Sequence, residues 1–419
     1  MSFHQEHHHH LLYADTNSKL SLFFHSALRA FANALVSVFL PAFILFEMSQ
    51  PLWVVFAFFG IFFGIASLIC IPMAKVTSRF GSKIGMVLGL LFLIPYLYCM
   101  GLLTEDPTML WYGVIFGGIF EGLFWIPFHH DMSQVCKGKK SGQSIAFLKI
   151  LMIVVTAIAP LAGGIFVDHY SAKFLLVIAA GIAAVSVIPL LLSPKDHTPA
   201  NYSFKVVANR IRTNPLSKDI FIAYFGASLV WIVGSITWPL IMFTELENYT
   251  QLGLITSATT LIIIFLLHKA GKRISETRGT LLVQKIVKLE QATWAIIALT
   301  SFISIISLPL IAVLDTVRRA CSSIMWTILD HTTYHESTRH KLNPVYPLFM
   351  RQFSVNISTS IYCGIFAVIF HYQNDIRLLA VSIIPMLVTI GFQRDIFDHE
   401  KKFYADFTEE VEEINVGSA

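Results

Sequence analysis

Charged residues are scarce in this sequence of 419 residues. Only 13% of them are Asp, Glu, Lys or Arg, whereas an average soluble domain has about 25%. Hydrophobic residues make up 55% of the chain, and 35 residues are Phe. A soluble protein of this length would leave much of that apolar surface in contact with water. The composition therefore excludes an ordinary soluble domain and predicts a protein embedded in a lipid bilayer.

Cysteine pairs and catalytic motifs are lacking as well. The five cysteines do not show the paired spacing of a disulfide framework or of a structural zinc site. The sequence has no P-loop, no nucleophile elbow and no pair of carboxylates with a catalytic spacing. We therefore expect no enzyme activity, no bound metal or cofactor and no nucleic-acid partner.

Long apolar stretches are what the sequence has instead. A transmembrane helix needs about 20 mostly apolar residues. Twelve such stretches occur, at 22–47, 52–74, 84–103, 109–131, 144–167, 174–193, 219–244, 250–268, 281–303, 309–331, 346–370 and 377–393. The ninth is the least apolar because Lys285, Lys288 and Glu290 lie in its first half. The predicted fold class is an all-α membrane protein with twelve transmembrane helices, called spans 1 to 12 in chain order.

The loops between the spans alternate in charge. Every second loop, beginning with the one after span 2, contains several Lys and Arg, whereas the opposite loops contain only Lys173 and Arg377. Basic residues concentrate in cytoplasmic loops. The pattern predicts a multi-pass cell-membrane protein with both termini in the cytoplasm, and we expect it in a bacterial inner membrane.

The longest connection divides the spans into two groups of six. We predict a His-rich cytoplasmic tail at 1–21, an N-terminal six-helix bundle at 22–193, a linker at 194–218, a C-terminal bundle at 219–393 and an acidic cytoplasmic tail at 394–419. Corresponding residues recur in the two halves at similar positions, namely Pro41 and Pro239, Trp125 and Trp326, and Lys149 and Arg351. This repetition indicates two pseudo-symmetric bundles, the construction of many secondary transporters.

The loop after span 2 resembles the signature of the major facilitator superfamily. Arg79, Gly81 and Lys83 match that family's arginine, glycine and basic residue. Ala74 stands where the family has glycine, and Ser78 stands where it has an acid that helps to latch the cytoplasmic gate. The resemblance implies two bundles that rock about a central site, with Arg79, Gly81 and Lys83 in the gate.

Span 5 is similar to a second motif of this family. Pro160 followed by Gly163 and Gly164 resembles the Gly-Pro-x-x-Gly-Gly motif of its antiporters, with Ala159 in place of the first glycine. The resemblance implies a gate role for Pro160 and favours export. The alternative interpretation is a helix kink and a close-packing surface.

Apart from the three charged residues of span 9, the ionisable residues that we single out inside the spans occur on spans 1, 4, 5, 10 and 11. They are Arg29, Glu121, Lys149, Asp315, Arg318, Arg319 and Arg351. An ionisable side chain in the bilayer core is costly unless it faces a cavity or a partner, so each is a candidate functional residue. In the family that the sequence resembles, spans 1, 4, 7 and 10 line the cavity and spans 5 and 11 flank it. The resemblance therefore implies that these charges surround the substrate path.

Glu121 and Asp315 are the candidate proton-coupling residues. Glu121 either alternates between a proton and a partner or forms a fixed ion pair with a cation such as Arg29 or Arg319. Asp315 precedes Arg318 and Arg319 by three and four residues, so its carboxylate can reach both on one helix. A neutralised cluster is the alternative, although one carboxylate cannot neutralise two arginines.

Seven polar or aromatic side chains are candidate substrate-binding residues: Arg29, Asn33, Trp231, Trp238, Arg318, Arg319 and Arg351. Arginine can hold a carboxylate or phosphate with two hydrogen bonds. The two tryptophans either stack on a ligand or only pack. Lys149 and Arg351 form a symmetric pair of cations near the inner mouth, unless they extend to the nearby interface.

The inner ends of the spans carry further gate candidates. His130 ends span 4, His331 ends span 10, and Lys149 lies near the start of span 5. A gate contact or a proton relay is one interpretation of the histidines, and an ordinary polar helix end is the other. Successive residues do not share a helix face, so we predict no metal site there.

Basic residues outnumber acids within the spans, which favours an anionic solute. The sequence thus predicts a monomeric secondary transporter in the lipid bilayer that moves a small anionic or anion-bearing solute and uses the proton gradient. A multidrug, amphiphile or siderophore efflux antiporter is the alternative suggested by the Phe-rich interior and by span 5. A transporter-like receptor, scaffold or lipid scramblase is the alternative suggested by Ser78.

Overall fold

The part of the chain that its computed structural model describes consists of helices joined by short non-helical connections. The described backbone covers residues 20–135, 141–192, 200–274, 279–303, 307–339 and 343–393. Side chains are described for the same residues except 135, 141–150, 192, 267–274, 279–282, 335 and 338–339. Every regular element in these ranges is a helix, which confirms the predicted fold class. The predicted tails, apart from residues 20 and 21, lie outside the described residues.

Nine helices among the described residues are long and apolar enough to cross a membrane. They correspond to the predicted spans 2 to 8, 11 and 12. In that order they are Leu52–Phe80, Ser82–Gly101, Met109–Val135, Ser141–His169, Ala172–Val185 with Val187–Leu192, Pro215–Ser235 with Thr237–Leu246, Tyr249–Ile274, Val345–Tyr372, and the short helices of Ile376–Gln393. A helix at Phe204–Thr213 lies within the predicted linker.

The three other predicted spans also have helical counterparts. Span 1 consists of a helix at 20–34, a short helix at Leu40–Ala42 and a π-helix at Phe43–Glu47. Span 9 is Gly279–Phe302 and span 10 is Leu308–Arg339. Their apolar signal is weaker because span 1 is interrupted and because spans 9 and 10 contain charged residues. The described helices are therefore consistent with the predicted count of twelve.

Spans 1 and 7 are both broken just before a proline. Residues 35–39 of span 1 form turns ahead of Pro41, and Ile236 separates the two helices of span 7 ahead of Pro239. Proline has no backbone N–H, so the carbonyl four residues earlier loses its helical partner. The freed carbonyls are those of Ser37 and Ser235. The two prolines that the sequence pairs by symmetry thus coincide with matching interruptions in two helices.

The two halves of the chain pack along two seams, span 2 against span 11 and span 5 against span 8. Along the first seam Ser360 donates a hydrogen bond to the Gly60 carbonyl at 2.8 Å. Along the second, a Cβ at Gly164 would collide with the backbone of Tyr249, and a Cβ at Gly253 would collide with the Pro160 carbonyl. Small residues allow membrane helices to approach closely. Gly164 therefore belongs to a close-packing surface, the alternative interpretation of the span 5 motif.

A single glycine makes the turn between spans 2 and 3. Gly81 has a φ of 85° and lies between helices that end at Phe80 and begin at Ser82. Residues with a Cβ are strained at this φ, so glycine suits this position. The turn explains why glycine occupies this position, and the gate role of Gly81 stays a prediction.

Gly253→Ala tests the seam between spans 5 and 8. The added methyl group meets the Pro160 backbone, which cannot move aside as a flexible side chain does. We expect a loss of about 1–3 kcal/mol in the free energy of unfolding, the usual effect of overpacking. The loss is measured as a lower unfolding temperature in detergent. Gly181→Ala is the matched control, since nothing lies within 4 Å of a Cβ there. Equal stability of the two variants would contradict the proposed seam.

Candidate functional site

A cavity of about 310 Å³ lies between the two halves, at the level of the broken helices. Its walls come from spans 1, 5, 7, 8 and 10. The lining residues are Ala34, Ser37, Val38, Ile153, Thr156, Pro160, Trp231, Gly234, Ser235, Pro239, Thr256, Thr260, Ile263, Arg318, Arg319, Ser322 and Ser323. Hydroxyl groups and two guanidinium groups face this space, and none of these lining residues carries a carboxylate. The cavity volume is at the lower end of the range for small-molecule sites.

Asp315 holds the charged side of this cavity together. Its side chain is 0% exposed, and each of its oxygens accepts two hydrogen bonds. One oxygen accepts from Trp238 at 2.8 Å and from Arg318 at 2.7 Å. The other accepts from Thr259 at 2.6 Å and from Arg319 at 2.6 Å. Spans 7, 8 and 10 therefore meet at this one carboxylate, whose acceptor positions are occupied by donors from the protein.

The two arginines next to Asp315 point in different directions. Arg318 is buried, with its guanidinium carbon 5.4 Å from the centre of the Trp294 ring in span 9. The side chain of Arg319 is 23% exposed and lines the cavity. Because one carboxylate serves two guanidinium groups, the cluster keeps one positive charge at the cavity wall.

The tryptophans of span 7 lie in different surroundings. Trp231 lines the cavity, as the prediction of ligand contact requires. Trp238 is fully buried and donates its ring N–H to Asp315, so it acts behind the wall and outside the cavity lining. Pro160, predicted as a gate residue, also lines the cavity and contacts span 8 at Gly253.

Arg29 lies in an aromatic cage on span 4 and is not among the lining residues of the cavity. Its guanidinium carbon is 4.6 Å from the ring of Trp125, 4.8 Å from Phe124 and 5.5 Å from Phe128. Cation–π contacts of this kind stabilise a desolvated cation. Asn33, one turn further along, is exposed and is likewise not among the lining residues. A substrate contact for these two residues stays a prediction.

Glu121 is partly buried in the middle of span 4. It interacts electrostatically with Arg29 and Arg351 and with the ring N–H of Trp125, one turn further along span 4, and it forms no ion pair with a described residue. The structure thus does not show a fixed salt bridge from Glu121 to Arg29 or Arg319, which was the alternative to a titrating group. Glu121 is also not among the lining residues of the described cavity.

Arg351 is paired inside the C-terminal half. It forms an ion pair of 3.0 Å with Asp330, and its guanidinium carbon lies 5.0 Å from the Tyr224 ring and 5.3 Å from the Trp326 ring. Trp326 corresponds by repeat to Trp125, so each half has a buried arginine against an equivalent tryptophan. Arg351 is not among the cavity-lining residues. The side chain of Lys149, its predicted counterpart, lies outside the described residues.

Uncharged side chains join the two halves at the end predicted to face the cytoplasm. Asn343, before span 11, donates to the Ser78 hydroxyl at 3.1 Å and to the Asn201 carbonyl at 2.9 Å. His129 of span 4 hydrogen-bonds to Tyr334 of span 10 at 2.7 Å. Sequence reasoning missed Asn343 and Tyr334 as contacts, although the serine at the acid position of the signature marks the place.

The predicted gate residues lie around these contacts. Lys83 donates to the Leu191 carbonyl of span 6 at 2.6 Å, and Arg79 is exposed beside the Phe80 ring. His130 is buried 3.9 Å from Asp131, and His331 is partly buried. Among the described side chains, no group of three or more His, Cys, Asp or Glu is placed to hold a metal ion.

The opposite end of the bundle also joins the two halves. Tyr249 donates to Glu47 at 3.2 Å, the backbone N–H of Leu52 donates to Asn374 at 3.0 Å, and the backbone N–H of Thr250 donates to Asp168 at 2.8 Å. Polar contacts between the halves therefore lie on both sides of the cavity.

Comparisons with known proteins agree with this geometry. A family model described as the Major Facilitator Superfamily matches residues 22–330. The human organic anion transporter MFSD10 (TETRAN) is similar in structure, with a TM-score of 0.63 and 11% identity over 90% of this chain and 99% of that chain. The E. coli fucose:proton symporter FucP has a TM-score of 0.62 and 14% identity, and the match covers 90% of this chain and 98% of that chain. FucP in an outward conformation has a TM-score of 0.59 and 13% identity, with the same coverage of 90% and 98%. No curated protein matches the sequence. At such identities the structural similarity shows the fold alone.

Asp315→Asn tests the role of this carboxylate as the centre of the cluster. The variant keeps the shape of the side chain but leaves two guanidinium groups without their counter-ion. Removing one partner of a buried ion pair costs about 3–5 kcal/mol, so we expect a large drop in unfolding temperature in detergent. Asp375→Asn, at an exposed helix start, is the control and should change little. Stability equal to that of the control would mean that Asp315 does not hold the cluster together.

Proposed function

Because the chain belongs to the major facilitator superfamily, we propose that it is a secondary transporter that moves a small anionic solute together with protons by alternating access. The solute binds in the central cavity, between spans of both halves, where a rocking motion exposes it to either side. Both termini face the cytoplasm in this proposal, as the basic loops predict.

One observation carries the anion proposal, the spare positive charge on the cavity wall. Arg319 is partly exposed to the cavity, and the carboxylate with which it pairs in the described part of the chain, that of Asp315, is already shared with Arg318. An anion with a carboxylate or phosphate group would supply the missing counter-charge through charge-assisted hydrogen bonds. The freed carbonyls and hydroxyls of Ser37 and Ser235 provide polar contacts for the rest of such a solute. One of the structural neighbours is an organic anion transporter, although the proposal depends on the charge of the cavity.

The proton-coupling residue that the geometry favours in the N-terminal half is Glu121. A membrane-buried carboxylate without an ion pair is costly when charged and binds a proton readily. Asp315 is the weaker candidate because four donors hold its charged form in place. Another structural neighbour is a proton symporter, and Glu121 is the residue through which this chain would use a proton gradient.

Amphiphile efflux, the alternative from the sequence, fits the cavity less well. Its described wall has one aromatic residue, Trp231, beside two arginines and several hydroxyls. The many Phe side chains pack elsewhere, as in the Phe58–Phe62 and Phe366–Phe370 contacts. Apolar amphiphiles would gain little from a small polar cavity.

Arg319→Gln tests the anion site. The substitution leaves Arg318 and Asp315 as a neutral pair, so the cavity loses its spare charge. In proteoliposomes we expect uptake of labelled benzoate, citrate or phosphate, whichever the wild type transports, to fall about tenfold or more. Arg377→Gln, the same change at an exposed position, should transport like the wild type. Thermal stabilisation of the wild type by lipophilic cations and by none of a panel of anions would refute the anion proposal.

Glu121→Gln tests coupling through span 4. The amide cannot exchange a proton, so we expect accumulation driven by a pH gradient to be lost while exchange of labelled for unlabelled solute continues. Glu105→Gln, at an exposed residue paired with Lys173, is the control. If the Glu121→Gln variant still accumulates solute like the wild type, coupling does not run through Glu121.

A further inference from the structure

Span 9 contains a second buried carboxylate, that of Glu290. Its side chain is 0% exposed, and neither of its oxygens has a hydrogen-bond partner among the described residues. In the sequence Glu290 is only a residue that weakens the apolar character of span 9. A carboxylate in the membrane interior without a hydrogen-bond donor would be very costly in its charged form. The absence of partners is therefore the feature to be explained.

Arg318 is the described cation that interacts with Glu290. The two side chains interact electrostatically, although no N–O distance between them is within 4.0 Å. Trp294, one turn after Glu290, packs its ring against the Arg318 guanidinium. The ring nitrogen of Trp294 and the Nε of Arg318 have no hydrogen-bond partner among the described residues either. Among the described residues, Arg318 and Trp294 thus each have a donor without a partner, and the Glu290 carboxyl group has two acceptors without one.

Among the described side chains of the helices that pack on span 9, Arg318 is the one charged group that interacts with Glu290. Span 10 presents Arg318 and the Cys321 thiol. Span 12 has Arg377 as its one charged residue, at the far end from Leu387, whose carbonyl accepts from Gln291 at 3.2 Å. The described side chains of span 8, up to residue 266, include no charged group. Lys285 and Lys288 of span 9 itself are exposed and lie on other faces.

We propose that Glu290 is a second proton-binding site and that its proton controls anion binding in the central cavity through Arg318. This inference deepens the proposed function, and the part of it that concerns anion binding rests on that function. When Glu290 holds a proton, Asp315 is the one charged acid of the cluster and serves as counter-ion to both Arg318 and Arg319. The cluster then keeps its spare positive charge. When the O–H bond of Glu290 breaks, the proton passes to water on the side of the membrane to which the protein is then open. The new carboxylate attracts Arg318, and the cluster of two arginines and two acids becomes neutral.

The consequence is that a proton and an anion bind together. Protonation of Glu290 leaves a positive site for the anion, and a bound anion in turn favours the protonated form, since linkage of this kind is reciprocal. Arg318 is able to transmit the effect because it lines the cavity on one side and lies beside Trp294 on the other. This arrangement links proton uptake to anion uptake in the C-terminal half.

Glu290→Gln mimics the protonated acid permanently. Binding of benzoate, citrate and phosphate is measured at mildly acidic and mildly alkaline pH, by thermal shift of the purified protein. We expect wild-type affinity for the anion that binds best to fall about tenfold as the pH rises. The Glu290→Gln variant should keep the acidic affinity at both pH values. Lys285→Gln, on an exposed face of the same span, is the control and should behave like the wild type.

A second measurement needs no solute. The infrared spectrum of the wild type should contain the C=O band of a protonated carboxyl group that weakens as the pH rises. Glu290→Gln should remove this contribution, whereas Glu121→Gln should keep it. Glu290→Met, neutral and similar in length, replaces the amide variant if that does not fold, because an apolar residue of similar size suits a buried position.

The outcomes separate the two proposals. An unchanged carboxyl band in Glu290→Gln, or wild-type pH dependence of anion binding in that variant, would overturn the role of Glu290. If the wild type binds none of these anions at either pH, the anion proposal is wrong, and the infrared band alone then decides whether Glu290 holds a proton.

Discussion

Charge in a low-dielectric interior is the constraint on which the rest of this structure depends. Two guanidinium groups and one carboxylate lie between membrane helices, where isolated charges are very costly. The chain meets this constraint by placing Asp315 where spans 7, 8 and 10 converge, with both of its oxygens fully used. The same arrangement leaves one arginine without a full counter-ion at the cavity wall. One cluster thus accounts both for a contact between three spans and for the spare positive charge on which the anion proposal rests.

Matching interruptions in spans 1 and 7 give the cavity its polar backbone. Pro41 and Pro239 each remove a helical hydrogen bond, and Ser37 and Ser235, four residues earlier, line the cavity. Non-helical backbone in a membrane is tolerated where it faces a polar cavity or protein. The repeat in the sequence therefore has a physical counterpart, since each half contributes one broken helix to the shared site.

The seams between the halves combine close contact with little charge. Glycines and serines bring spans 2 and 11, and spans 5 and 8, together, and no ion pair crosses either seam among the side chains that the structure describes. At the predicted cytoplasmic end, the Ser78–Asn343 and His129–Tyr334 hydrogen bonds join the two halves. Neutral hydrogen bonds are weaker than charged ones, so these contacts would separate more easily than ion pairs in the alternating access proposed above.

Apolar stretch lengths are local features, so the sequence alone predicted the helical fold class and the positions of the spans. It did not predict the breaks in spans 1 and 7, because a proline need not break a helix: Pro72, Pro95 and Pro127 lie inside continuous helices. The sequence also identified Asp315 with its two arginines, because residues three and four apart share a helix face. The direction in which each side chain points depends on which helices become neighbours. Only the tertiary structure therefore placed Arg29 in an aromatic cage, paired Arg351 with Asp330, buried Trp238 behind Asp315 and left Glu290 without a partner. Contacts between residues far apart in the chain decide these positions, and no local pattern encodes them.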